Sequence, residues 1–379
     1  MSPAVTAAII AAGVSFLTLV GSLVTQFYGI RRTSRDTEKT RQQLDHTLAE
    51  QRERTLNERF ATAADKLGSD KAAAVRLAGV YAMAGLADDW AENRQTCVDV
   101  LCAYLRMPYS PDPGEDASEI RRLAFLADRE VRHTVIRVIA AHLRPEAQPC
   151  WSGLNLDFVG VSFDGGSFVG CNFGGTVNFS SAEFSGGTVS FVGSEFPGTV
   201  FFRYAKFSGG EVNFDLVEFS AVGEVSFNGA KFDASVVHFT GAKFSGGKVG
   251  FRFAKFSGGE VTFRWAEFTG GDVSFAEAEF TGSDVSFAEA EFTGSEVSFL
   301  DAKFTGSEVS FIEAEFTGGT VDFSKVAIWS RQPKFDIVDT PPAPVRLPPI
   351  SIPGASGSSE GGNGSASTPA AADDQTAPS

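Results

Sequence analysis

The chain carries few of the residues that do chemistry. Its 379 residues include four cysteines, four histidines and three methionines. Cys97, Cys102, Cys150 and Cys171 form no C-x-x-C pair and no metal-ligand spacing, so they read as reduced thiols of a cytosolic region. Cys97 and Cys102 lie five apart on a helical stretch and are expected on different faces. His46, His133, His142 and His238 are scattered, and none shares a short motif with Cys, Asp or Glu. Phosphate-binding loops and dinucleotide fingerprints are absent. These absences point to a non-enzymatic protein with no catalytic residue, no metal and no cofactor. Basic charge is scarce as well: 32 Lys and Arg face 47 Asp and Glu, a net charge of -15. General nucleic-acid binding needs a basic footprint, so no direct nucleic-acid partner is expected.

A further absence is local. From Ala4 to Ile30 there is no charged residue, and the run exceeds the ~20 residues a helix needs to cross a bilayer. No Lys or Arg precedes it, unlike a cleaved signal peptide, whereas Arg31, Arg32 and Arg35 follow at once. The positive-inside rule then predicts a single-pass transmembrane helix within residues 1–30, holding the membrane through 4–30. The N-terminus lies outside and the bulk of the chain in the cytoplasm. Residues 31–68 read as a charged juxtamembrane helix or short coiled coil with Leu44, Leu48, Leu56, Phe60 and Leu67 on a rough stripe. Gln51 and Arg52 interrupt it, so a homo-oligomer is left open. Gly68 is a fitting stop, and Ser69 and Asp70 offer N-caps for the next helix. Helical patterns over 71–87, 91–106 and 118–144 define a helical domain over 69–148. Val131, Val135, Val138, Ile139 and Leu143 form an apolar face on its last helix.

What the chain has in abundance is phenylalanine, 36 residues, and glycine, 40. Phe268, Phe275, Phe280, Phe287, Phe292, Phe299, Phe304, Phe311, Phe316 and Phe323 follow one another in alternating steps of seven and five. A short fixed period is the mark of a solenoid, in which each repeat is stable only against its neighbours. In extended backbone, residues two apart face the same way, so Ala278 and Phe280 point inward, as do Val285 and Phe287, while Glu279 and Ser286 face water. Gly282 supplies a corner. Further upstream, Phe158, Phe163, Phe168 and Phe173 are spaced by five. Four sides of five, seven, five and seven residues would make a coil of 24, and a flattened two-sided coil would hold 12. The four equal steps of the first coil favour four sides. About seven such coils stack into a rod of roughly 35 Å. The helical domain is the expected cap at one end, and Trp329 and Phe335 are candidates for the other. Beyond about Pro341 the chain is Pro, Ala, Ser and Gly, and a disordered tail is predicted over 341–379.

Segment 151–325 resembles the bacterial pentapeptide-repeat proteins, whose units follow a pattern near A-D/N-L/F-x-x. Leu156-Asp-Phe158-Val-Gly through Cys171-Asn-Phe173-Gly-Gly matches one coil of that pattern, and later units depart from it by two extra residues on alternate sides. The resemblance implies an all-β right-handed parallel β-helix, a four-sided pentapeptide-repeat solenoid over 151–335, preceded by an α-helical domain and one transmembrane helix. Asn57-Glu-Arg-Phe60, Lys66 to Lys71 and Val75 to Tyr81 are similar to the helical segment before the repeats in membrane-anchored members. That similarity implies the bacterial plasma (inner) membrane. The family shares no activity, so function rests on the surface.

Two surface features stand out. Between Glu267 and Phe323 there are thirteen Asp or Glu and one Lys, Lys303. Some pentapeptide-repeat proteins imitate duplex DNA and bind type II topoisomerases, so the resemblance implies a gyrase-directed mimic as one alternative. The second feature is an Arg-aromatic pair at one repeat position: Arg203-Tyr204, Arg252-Phe253 and Arg264-Trp265. Such residues are enriched at binding hot spots, and these six are the candidate protein-binding residues. In a four-sided coil Arg203 and Arg252 share a corner and Arg264 lies on the opposite one. The reading these features support is a membrane-tethered scaffold that displays the solenoid to a protein partner not identifiable from sequence. A sensor acting through the juxtamembrane helix is the other alternative.

Overall fold

The structure, a computed structural model, describes residues 2–220, 223–335 and 345–347, with backbone alone over 29–36. It opens with one uninterrupted helix, α1 (Pro3–Leu67), so the two helices expected on either side of residue 30 are a single one. The reason is local: no Gly or Pro occurs between Gly29 and Gly68, which ends the helix. Next come α2 (Ala73–Asp89), α3 (Arg94–Arg106) and α4 (Glu119–Leu143). α2 starts later than Ser69 and Asp70 suggest, because the Ser69 hydroxyl instead accepts the Lys71 backbone N–H within the preceding turn, at 3.1 Å.

From Leu156 on, the backbone winds into a four-sided coil with a parallel sheet on each side. Partner registers give the coil length directly. On the first side the offset is 21 residues from Leu156 to Val177, 23 from Val177 to Val200 and 25 from Val200 to Val225. It then holds at 24 through Val249, Val273, Val297, Val321 and Val345. The 24-residue, four-sided alternative is therefore the one adopted, in about eight turns. Val345–Arg346 forms a strand on the first side and Val345 is buried, so part of the predicted tail belongs to the solenoid. The rest of that prediction falls outside the described residues.

Steric filling explains the coil. Inward positions on the first and third sides pair Val with Phe, and those on the second and fourth mostly pair Ala with Phe. Each Phe stacks on its counterpart one turn away, as in Phe239–Phe263–Phe287 at 4.7 and 4.8 Å, nearly coplanar. The first and third columns meet edge to face across the core, as Phe227 does with Phe239 at 5.6 Å, the offset geometry that aromatic quadrupoles favour. The second column ends on Trp329 and the third on Phe335, so both residues close the distal end.

The helices cover the other end. Along α4, Arg129 and His133 meet Asp164, Ile136 meets Gly166, and Leu143 accepts the Asn172 N–H. α4 therefore runs along the third side of the first coil, from the second side towards the fourth. α3 lies along the first side, with Gln95 bonded to Asn155 and Arg106 to Asp157. α2 runs parallel to α4, since Arg76 pairs with Asp128 and His142 with Asp88. α1 is antiparallel to α2: Leu67 backbone packs on Gly79, where a Cβ would stand 2.5 Å away, and Arg59 pairs with Asp89. α1 consequently lies across the solenoid axis, with its N-terminal half leaving in the direction of the fourth side. Leu56 and Leu67 are buried in this packing and Phe60 is half-buried, while Leu44 and Leu48 stay exposed.

Cys97 and Cys102 are both fully buried. α3 is covered on two sides, by α2 and by the first strand of the solenoid. Burial pushes the Cys97 thiol up to about 11, and the Cys102 and Cys171 thiols up to about 12, which leaves them unreactive.

Candidate functional site

The corners are of two kinds. After the first and third sides, Phe-x-x-Ala closes a β-turn in which the Ala N–H bonds the Phe carbonyl, as from Ala254 to Phe251 at 3.0 Å. The third residue of this turn has positive φ, which glycine adopts freely and bulky residues adopt at a cost of ~1–2 kcal/mol. Gly160, Gly229 and Gly241 meet that demand, yet Tyr204 (φ 58°), Leu216 (56°), Phe253 (59°) and Trp265 (55°) stand at equivalent corners. After the second and fourth sides the corners are wider and hold the inserted residues. Where serine replaces the second glycine of such a corner it is buried, and at two of these corners it bridges coils. The Ser283 hydroxyl donates to Gly258 O at 2.8 Å and that of Ser295 to Phe268 O at 2.9 Å.

Tyr204 and Phe253 share the first corner, two coils apart, and Trp265 is on the opposite one, as the four-sided reading requires. These residues are 67%, 47% and 50% exposed. Arg252 lies over the Phe253 ring at 4.8 Å and Arg264 over Trp265 at 4.4 Å. Arg203 does not stack on Tyr204; it covers Phe201, at 4.3 Å. Strand alternation accounts for this, because residues 201 and 203 flank the inward Phe202 on the same outer face. The Tyr204 ring instead leans over the next coil, where a Cβ on Gly229 would stand 2.6 Å from it.

Each of these arginines is also held by a carboxylate of the following coil. Arg203 meets both oxygens of Glu224 at 2.9 Å, Arg252 meets Glu277 at 2.6 Å, and Arg264 Nε meets Glu289 at 3.0 Å. Hydrogen bonds from Trp265 and Arg264 hold the Glu289 carboxyl below its ordinary range. The rings are therefore presented to solvent, whereas the guanidinium charges are already matched. The acidic residues of the distal coils are not gathered on one face: Glu296 is on the first side, Glu279 on the second, Asp284 on the third and Glu291 on the fourth.

Sequence reading missed a polar cluster where α4 meets the solenoid. Asp164 accepts hydrogen bonds from Tyr109 Oη at 2.8 Å and Arg129 Nε at 2.9 Å, and its other oxygen meets His133 Nε2 at 2.8 Å. Buried Arg132 stacks on Tyr109 at 4.3 Å and donates to Ser162 O at 3.0 Å. Burial alone would raise the Asp164 carboxyl, but hydrogen bonds from His133 and Tyr109 and the charge of Arg129 hold it at about 2. The signal available in sequence was a lone acid, Asp164, directly before Gly165-Gly166, where most such corners carry Ser or Thr. The arrangement ties cap to solenoid. Among the described residues, no group of three or more His, Cys, Asp or Glu side chains is placed to hold a metal ion.

The linkage has a definite sign. A carboxyl whose folded value is depressed stabilises the fold above its unfolded value, near 4, and loses that contribution as pH falls towards about 2. Asp164→Asn is expected to cost about 2–3 kcal/mol at neutral pH, since it removes charge-assisted bonds to several donors. In thermal melts the gap between wild type and variant should close between roughly pH 4 and pH 2. A gap that stays constant over that range would show that the cluster is not what couples cap to rod.

Comparison with known proteins adds one finding. The family model described as pentapeptide repeats (nine copies) matches residues 158–205 and 168–218. It covers the proximal coils, where the steps are closest to five, and stops before the regular 24-residue coils. No curated protein and no solved structure matches the chain. The rod is thus a β-solenoid whose proximal coils match pentapeptide repeats, and it is most regular in the part the family model does not reach.

Proposed function

We propose that the chain is a membrane-tethered, non-enzymatic scaffold that presents its pentapeptide-repeat solenoid to a protein partner in the cytoplasm. The observation that carries the tether is Pro3–Tyr28, 26 helical residues whose most apolar 18-residue stretch has a mean hydropathy of 2.2, none of them buried against the protein. So much exposed apolar surface on one helix calls for a cover, and its length suits a bilayer. The observation that favours display over catalysis is the solenoid interior, filled from end to end by stacked Phe, which leaves only the outer faces to act.

With α1 upright in a bilayer, the rod would lie along the membrane rather than stand away from it. Residues 29–58 supply about 45 Å of helix at ~1.5 Å per residue, so the fourth side would face the membrane across that gap and the second side would face away. A tether of this kind raises the local concentration of the displayed surface for partners near the bilayer.

The chain is expected to sediment with membranes and resist carbonate extraction, and a variant lacking residues 3–28 to become soluble. Release of the intact chain by carbonate would overturn the tether. Proximity labelling should enrich specific proteins over the same helix fused to an inert domain; the absence of enrichment would overturn the scaffold. The acidic distal coils favour the topoisomerase-directed mimic as a second reading. It predicts inhibition of gyrase supercoiling by a 55–335 fragment, and no effect at micromolar concentration would remove it.

A further inference from the structure

Where on the rod a partner docks can be argued from charge. On the second side, residues in direct register run Glu183, Lys206, Lys231, Lys255, Glu279 and Lys303. Like charges directly opposed on neighbouring strands are destabilising. Three successive lysines occur at no other register position of the described strands, in a chain with a net charge of -15. Elsewhere on the rod most cations are matched: Lys243 pairs with Glu267 at 3.1 Å and Lys303 with Glu279 at 3.0 Å. Lys248, which forms no ion pair among the described residues, is flanked in register by Glu224 and Asp272 on both sides. Lys255 also reaches Glu279, at 2.9 Å, but Lys206 and Lys231 form no ion pair among the described residues. Two acids adjoin them on this face, Glu183 in register with Lys206, and Asp233, which lies near the Gly258 corner, 3.4 Å from where a Cβ would stand; among the described residues neither forms an ion pair with Lys206 or Lys231.

Aromatic surface adjoins the same three coils. Tyr204 and Lys206 flank buried Ala205, and Phe253 and Lys255 flank buried Ala254, so each ring stands at the corner that leads into the lysine-bearing strand. The corner between them is Gly229, covered by the Tyr204 ring. The result is a strip of lysines edged by exposed rings.

Its length selects the ligand. Lys206 to Lys255 spans two coil steps, roughly 10 Å, and carboxylates close it at both ends, at Glu183 and Glu279. A continuous polyanion would run past the strip onto those carboxylates. Duplex DNA, for example, carries a charge every ~1.7 Å of its axis. A short run of acidic side chains interspersed with apolar ones fits: the acids meet the lysines, and the apolar residues meet Tyr204 and Phe253. We infer that Tyr204, Lys206, Lys231, Phe253 and Lys255 form a docking strip for a short acidic-aromatic segment of a partner protein. The inference rests on reading the rod as an interaction module, and the proposed tether turns this strip away from the bilayer.

The test uses the full chain in detergent micelles and a fluorescein-labelled twelve-residue peptide of repeating Glu-Glu-Phe, read by anisotropy. The peptide should bind, and salt should weaken it. Lys206→Glu with Lys231→Glu should weaken binding about tenfold or more, and the milder Lys206→Gln with Lys231→Gln about threefold. Tyr204→Ala with Phe253→Ala should cost about fivefold. Lys243→Glu, on the fourth side, should change it less than about twofold. The gentler variant keeps the test decisive if charge reversal disturbs folding. No peptide binding at about 1 mM, equal binding by the glutamine variant, or binding of a twelve-nucleotide oligo-dT about tenfold tighter than the peptide would each overturn the inference. If proximity labelling enriches partners that persist in the glutamine variant, the scaffold survives and this strip falls. If it enriches none, the scaffold itself falls.

Discussion

Phe263→Ala is expected to destabilise the solenoid by about 3–5 kcal/mol, read as a lower urea midpoint of the chain in mild detergent. Phe263 is fully buried between the rings of Phe239 and Phe287, at 4.7 and 4.8 Å, and meets Phe251 edge to face at 5.8 Å. Truncation therefore empties one layer of the core and leaves stacking partners above and below without a face. Coils touch only their neighbours, so the gap cannot be refilled from elsewhere along the rod. The matched control is Trp265→Ala, two residues away but half exposed on the corner, for which about 1 kcal/mol or less is expected. Equal losses from the two variants would mean that the corner rings, and not the inner ladder, hold the coils together.

The second large effect is expected at a pair of adjacent glycines. Gly270 and Gly271 have nearly the same backbone, φ 73° and 77°. An added Cβ at Gly270 would meet nothing within 4 Å, whereas at Gly271 it would stand 2.3 Å from the carbonyl oxygen of Gly247 in the preceding coil. Gly270→Ala should cost only the left-handed penalty, about 1–2 kcal/mol. Gly271→Ala should cost at least about 2 kcal/mol more, because a backbone atom has to move and stacked coils give it nowhere to go. Thermal or urea unfolding of the two variants side by side measures the difference. Similar values would show that the spacing of coils is looser than the carbonyl contact implies.

Much of the rod was legible because its period is written in one residue type. The Phe spacing marks the inward positions, and four equal steps in the first coil are enough to set four sides. The corner aromatics were legible as a repeated oddity, but not their partners. Arg203 selects Phe201 through strand alternation, and the carboxylates that hold Arg252 and Arg264 sit 25 residues further along the chain, one coil away. The lysine strip was hidden for the same reason: Lys206, Lys231 and Lys255 become neighbours only once the coil length is known. The Asp164 cluster joins a repeat corner to a helix and a loop, and no periodicity reports a contact between a periodic and an aperiodic part. The helical segments showed as patterns, but the double-sided burial of α3 depends on what packs against it.

The drift in coil length has a mechanical meaning. From Val225 to Val345 each turn of the first side advances by 24 residues, and the second side keeps the same step from Lys231 to Lys303, so the outward side chains there form a lattice with a single pitch, like the marks on a gauge. The first turns, at 21, 23 and 25, break that pitch where the rod meets α3 and α4. They behave as a coupling that absorbs the mismatch between a helical bundle and a regular stack. A whole turn could then be added to or removed from the distal section without disturbing the joint. A turn added or removed beyond Lys255 would change the length of the rod by about 4.8 Å while leaving the strip from Lys206 to Lys255 where it stands relative to the tether.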